Sequence, residues 1–207
     1  MMQIDMTTLV PGFNDPVHDA QRVFRALLDA LARPGSIVSL DAALPANHAM
    51  RDGLAGRVPL AAFASLLALT DYSTPVFLAR DDRTFGDALR FHASSALTHK
   101  RDEAAFVYID DVSQMPSLDG FAQGEPETPE DAATLFIRVP SLTEGEPLVW
   151  RGPGIDEAST VRVAGLSREF WRERAALTAQ FPCGIDCYLV AGATLIGLPR
   201  TTQVEVN

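Results

Sequence analysis

Lysine is almost missing from this sequence: Lys100 stands alone against sixteen arginines. A pyridoxal-phosphate enzyme needs a lysine amine for its Schiff base. Lys100 sits in His99-Lys100-Arg101-Asp102-Glu103, a charged run of the kind that faces solvent, so that chemistry is excluded. The same scarcity excludes a P-loop, which runs into Gly-Lys-Ser/Thr. Cysteine is scarce too. Cys183 and Cys187 are too few for a disulfide framework. Their spacing is wider than that of a zinc knuckle, and no second pair completes a site. A strand-like segment would put both on one face, where free cysteines usually pack. His18, His48, His92 and His99 show no paired ligand spacing, and His92 is expected to pack or cap. No metal and no cofactor are expected. No apolar run approaches the roughly 20 residues of a membrane helix, and the opening MMQIDMTTLVPGF has neither a basic nor an apolar leader region. A cytoplasmic protein is expected. A surplus of acid, net −10, repels a phosphate backbone and argues against nucleic acid.

Nucleophile signatures are absent as well. Gly165-Leu166-Ser167-Arg168-Glu169 lacks the last glycine of a nucleophile elbow, and Ser167 reads as a helix cap. Asp81-Asp82 and Asp110-Asp111 fall at strand or turn ends, where solvated carboxylates are expected.

The remaining composition, 47% hydrophobic and 21% charged over 207 residues, suits one globular domain. A single domain over 1–207 is expected, with an N-terminal extension at 1–14 and a surface connection at 110–130. Asp15-Pro16 is a helix start, an acceptor before a proline at the first helical position. The segment to Ala32 repeats Val17, Ala20, Phe24, Leu27, Leu28 and Leu31 as one apolar face. Arg33-Pro34-Gly35 stops it. Further helices are expected over 59–70, apolar nearly all round and suited to burial between layers or under a partner, over 84–93, and from Ser167 to about Gln180. Strands are expected over 36–40, 75–79, 104–109, 134–139, 147–150, 159–163, 185–190 and 194–198. The three from 134 to 163 read as a meander, and the last two as a hairpin. The order implies a layered α/β domain, α/β/α in three layers, with a mixed sheet.

Several motifs carry no reaction: Arg33-Pro34-Gly35, Gly152-Pro153-Gly154, Phe181-Pro182-Cys183-Gly184-Ile185-Asp186 and Gly197-Leu198-Pro199-Arg200-Thr201-Thr202. Gly152-Pro153-Gly154 reads as a tight turn. An arginine held on a stiff turn can grip a phosphate or carboxylate with two parallel bonds. Arg33, Asp186, Arg200, Thr201 and Thr202 are therefore the candidate ligand-binding residues. The competing reading has Arg33 and Arg200 tie off carbonyls or acids within the fold.

Taken together, PGFNDPVHDAQRVFRALLDALARPG, DYSTPVFLA, LRFH, PEDAATL, GPGI, FPCGID and GLPRTTQVEV resemble, in order and over nearly the whole chain, the PhnH family. Cys183 departs from it, standing where an apolar residue is expected. The family comprises the H subunits of bacterial carbon–phosphorus lyase. The resemblance implies a fold similar to the large domain of pyridoxal-phosphate-dependent transferases without the cofactor lysine. It implies a core complex with G, I and J subunits, and a homodimer in isolation. It also implies a system, completed by an L partner, that couples an alkylphosphonate to C1 of the ribose of a nucleoside triphosphate before the C–P bond is cleaved. It supplies no catalytic residue. The expected role is assembly, without independent catalysis; the alternatives are a phosphate- or nucleotide-binding subunit and a stand-alone transferase.

Overall fold

Asp15 sets the first element. In the computed structural model, which describes residues 9–44, 48–54 and 56–206, its Oδ1 accepts a 3.1 Å hydrogen bond from the His18 amide. Pro16 opens α1 (Pro16–Ala32), and the Arg33 amide closes it on the Asp29 carbonyl at 3.0 Å. There follow β1 (Ile37–Ser39), α2 (Leu40–Ala43), α3 (His48–Leu54), α4 (Leu60–Leu69), β2 (Val76–Leu78), α5 (Arg83–Ala93), β3 (Leu97–Thr98) and β4 (Phe106–Ile109). After three short 3-10 turns come β5 (Thr134–Arg138), β6 (Pro147–Arg151), β7 (Ser159–Arg162), α6 (Arg168–Thr178), β8 (Asp186–Ala191), β9 (Thr194–Leu198) and β10 (Gln203–Val206). Of the extension expected over 1–14, residues 1–8 lie outside the described residues. Val10 is buried, and its carbonyl meets His92 Nε2 at 2.8 Å.

The main sheet has seven strands in the order β1-β9-β8-β5-β4-β2-β3. β3, β2, β4, β5 and β8 run parallel; β9 is antiparallel to β8, and β1 is antiparallel to β9 and so runs with the parallel set. The sheet is mixed, as expected. Leu135, Phe136 and Ile137 are all buried, because a central parallel strand has both faces covered. One face is helical. Tyr108, Phe136 and Tyr188 point there, among α1, α4 and α5. The Phe136 and Tyr188 rings stack at 4.9 Å, and the Tyr188 hydroxyl donates to the Leu27 carbonyl at 3.2 Å.

The opposite face corrects the α/β/α expectation. Val107, Ile109, Leu135, Ile137 and Leu189 pack there against Trp150, Phe170 and Trp171, contributed by α6 and a separate three-stranded sheet, β10-β6-β7. That outer layer is more strand than helix. The expected meander over 134–163 fails for the same reason. β5 is apolar on both faces and joins the centre of the large sheet. β6 alternates buried and open residues, so it covers the core from one side and pairs with β7 and β10 instead. The connection after β4 is anchored rather than loose, with Leu118 and Phe121 buried.

Two helices also differ from expectation. In α1 the buried set is Asp19, Val23, Leu27 and Ala30, so of the expected face Leu27 is buried and Leu31 packs against the core, while the buried face is centred about 100° from the expected one. Val17, Phe24 and Leu28 are left 63%, 45% and 51% exposed. The wholly apolar α4 is used up inside the chain, with Leu60 through Leu67 buried against α1, α5 and the sheet. Its apolar character needs no partner. Among the described residues no helix is long and apolar enough to cross a membrane.

Candidate functional site

Parallel strands have two ends, and the candidate residues fall at different places on them. β8 begins at Asp186, paired with Thr134 at the start of β5, so the Asp186 corner lies at the amino ends. There Arg200 spends four of the five donors of its guanidinium. Its backbone amide donates to Asp186 Oδ1 at 2.7 Å. Nε and Nη2 donate to Oδ2 at 3.1 and 2.7 Å, and Nη1 donates to the carbonyls of Pro129 and Pro182 at 2.7 and 3.2 Å. The pair clasps the start of β8 to the turns on either side, and both side chains are largely covered. Thr202 is buried, with its amide bonded to the Pro199 carbonyl and its hydroxyl unpartnered; Thr201 is half-buried. Arg33 does not join this group. It is exposed at the end of α1 and ion-paired to Asp29 at 2.6 Å.

The corner also holds Arg174 of α6, which the sequence reading passed over. It is 1% exposed. Nη1 donates to the Thr178 hydroxyl at 2.5 Å and to the Arg200 carbonyl at 3.4 Å, and Nη2 donates to the Pro199 carbonyl. Burial pulls its pKa down, and burial pushes the neighbouring Cys187 thiol up to about 12. The signal for Arg174 was present: it follows Trp171 by three residues and precedes Leu177 by three, the period of the buried face. The other cysteine corrects its expectation, since Cys183 lies in the turn before β8 and not on the strand.

The unexplained motifs turn out to be close approaches. A Cβ on Gly154 would lie 2.2 Å from the Ala32 carbonyl oxygen, and one on Gly197 would lie 2.4 Å from that of Ala30. The turn after β6 and strand β9 thus press on the end of α1, where only a hydrogen fits. Gly152-Pro153-Gly154 forms the turn expected of it. Lys100 is exposed and paired with Glu103, which raises its pKa; a Schiff-base lysine requires the opposite shift.

The carboxyl ends of the sheet hold a cavity of about 610 Å3. Asp110 and Asp111 follow β4, Arg138 ends β5, Ala191 ends β8, and Arg51 and the start of α4 close the far wall. Side chains alternate along strands, so Tyr108, Asp110, Phe136 and Arg138 share the helical face. Arg138 donates Nη1 to the Arg57 carbonyl at 2.7 Å and Nη2 to that of Gly56 at 3.3 Å. Asp110 pairs with Arg80 at 2.6 Å, and Arg51 pairs with Asp41. The Tyr108 side chain, 4% exposed, lies beside Arg138. Burial raises its pKa, against the nearby charge of Arg138.

The family profile described as bacterial phosphonate metabolism protein (PhnH) matches residues 11–205. This chain belongs to the PhnH family. Among PhnH-family relatives is the alpha-D-ribose 1-methylphosphonate 5-triphosphate synthase subunit PhnH of Rhizobium meliloti (strain 1021). It is 38% identical over 198 residues, 94% of each chain. HtxG of Stutzerimonas stutzeri, which carries the name of a C-P lyase subunit protein, is 30% identical over 190 residues, covering 90% of this chain and 86% of HtxG. The chain is thus a phosphonate-metabolism subunit of the PhnH type, and its family motifs coincide with the clasp and the close approaches around α1.

Proposed function

We propose that this chain is an assembly subunit of the complex that couples an alkylphosphonate to C1 of the ribose of a nucleoside triphosphate; its Rhizobium relative is named as a subunit of alpha-D-ribose 1-methylphosphonate 5-triphosphate synthase. Its partners are the G-, I- and J-type subunits of the carbon–phosphorus lyase core, and it works in the cytoplasm. The observation that carries the assembly role is the stripe of Val17, Phe24 and Leu28 on α1. At 100° per residue these fall within about 40° of one another. Beside α1 lies β1, the edge strand of the sheet, with Ile37 exposed. Apolar side chains aligned along a helix mark an interaction surface. Because each is only about half exposed, covering these three contributes on the order of 2–5 kcal/mol, about half the value for full burial. The homodimer of the isolated chain uses the same stripe, which exchanges its second copy for a core subunit. The kinship of the sheet with pyridoxal-phosphate-dependent transferases belongs to this proposal, with the parallel strands retained and the lysine lost.

The reading that places a ligand on the arginine-bearing turns draws no support from Arg200, whose guanidinium is engaged inside the fold. Co-purification tests the assembly role. Phe24→Glu combined with Leu28→Glu changes only exposed positions, so the chain stays folded but no longer co-purifies with the other core subunits. Retention of the double variant in an intact complex would refute the stripe; an intact, active complex formed without this chain would refute the role.

A further inference from the structure

We propose that the cavity at the carboxyl ends of β4, β5 and β8 binds a small phosphorylated sugar. Its phosphoryl group lies against Arg138 and the start of α4, and its hydroxyls lie against Asp110 and Asp111. The inference adds a ligand to the assembly role and does not depend on it.

Position is the first argument. In α/β sheets, ligands lie outside the carboxyl ends of the parallel strands, and about 610 Å3 matches the volume of a small-molecule site. The Arg200 clasp lies at the other end.

Charge is the second. Arg51 is neutralised by Asp41 and Asp110 by Arg80. Arg138 is different: among the described residues it pairs with no carboxylate and spends two donors on carbonyls. A guanidinium has five donors in a planar fork, so donors remain for a phosphoryl oxygen. The carbonyls it grips belong to the turn that enters α4. That helix starts after Pro59 with no side-chain cap and no acid in its first turn; the Ala61 amide is spent on the Gly192 carbonyl at 3.0 Å, and the rest of the positive dipole end favours an anion at the same spot.

The opposite wall selects for more than phosphate. Asp111 lines this wall and is exposed; Ser113 hydrogen-bonds to its carboxylate, the amide reaching Oδ1 at 2.9 Å, and a carboxylate with about four lone-pair sites can accept more. Carboxylates accept from hydroxyls and repel a bare anion, whereas Arg138 and Arg80 repel a bare cation. A ligand with a phosphoryl group at one end and a diol at the other satisfies both walls.

Calorimetry on the purified chain with ribose 5-phosphate, ribose and inorganic phosphate tests this. Ribose 5-phosphate is expected to bind at least about tenfold more tightly than either fragment. Arg138→Met lowers its affinity at least about tenfold, the loss of one charge-assisted bond. Since Arg138 also holds the 56–57 turn, Asp111→Asn provides a second variant. It is exposed, and asparagine keeps the cap, so the fold is intact. It weakens ribose 5-phosphate binding and leaves inorganic phosphate binding no weaker. No heat with ribose 5-phosphate at millimolar concentration, equal affinity for inorganic phosphate, or an unchanged Asp111→Asn would each overturn the assignment. Co-purification would still read the assembly role separately.

Discussion

Arg200→Ala separates an arginine that holds the fold from one that holds a ligand. The substitution removes two side-chain bonds to Asp186 Oδ2, at 3.1 and 2.7 Å, and the bonds to the Pro129 and Pro182 carbonyls. Asp186 keeps only the Arg200 amide as a partner within the clasp. The two side chains are 15% and 20% exposed, so water replaces little of what is lost. Breaking a covered ion pair by removing one partner costs about 3 kcal/mol or more. For a chain of this size that lowers the melting temperature by roughly 6–12 °C. Asp186→Asn costs less, because asparagine still accepts the amide. A double-mutant cycle with Arg200→Ala should return a coupling of about 2 kcal/mol, measured by urea unfolding. A cost below about 0.5 kcal/mol for Arg200→Ala, the range of ordinary surface changes, with no coupling, would refute the clasp and return Arg200 to the pool of ligand arginines.

Three further outcomes follow from the same geometry. In the native protein one thiol, Cys183, reacts with a disulfide reagent at neutral pH, and Cys187 reacts only in denaturant, because burial holds it far from its reactive thiolate form; two fast thiols would contradict this. Gly197→Ala drives a Cβ to 2.4 Å from the Ala30 carbonyl oxygen and destabilises by roughly 1–3 kcal/mol or more, with an unchanged unfolding midpoint as the contrary result. Hydrogen bonds from His18 hold the Asp15 carboxyl below its ordinary 3.8. Its lowered folded pKa means the capping contribution is full above about pH 5, where the carboxyl is ionised in the folded and the unfolded chain alike, and is lost as pH falls through the folded value. The stability advantage over Asp15→Asn should therefore shrink between about pH 5 and pH 2, and an advantage independent of pH would count against the charge.

Local chemistry made much of the fold legible. The bounds of α1 could be read directly, because Asp15-Pro16 and Arg33-Pro34-Gly35 act within a turn of themselves. The same holds for Ser167, whose hydroxyl accepts from the Phe170 amide at 3.2 Å. The face of α1 could not be read. Its apolar residues span more than the sheet can cover, and only the position of β9, pressed close through Gly197, decides that Val23 and Leu27 go inward. The fate of β6 was hidden likewise: alternation marks it as a one-sided strand but does not say which sheet it joins. Arg174 and Arg138 were missed because each is defined by what surrounds it, carbonyls brought from residues distant in the chain.

What the sequence determined by itself is thus most of the longer elements, though not α2, α3, β3 or β10, the lack of a lysine able to carry Schiff-base chemistry, and kinship with the PhnH family, because these depend on residue types and short spacings. Only the tertiary structure decided which arginine is spent and which has donors left. Arg200 and Arg138 look alike along the chain. One meets a carboxylate at the amino ends of the sheet, and the other meets carbonyls beside an open cavity at the carboxyl ends. Charge compensation is a property of neighbours in space, and parallel strands carry their two ends to opposite sides of the molecule.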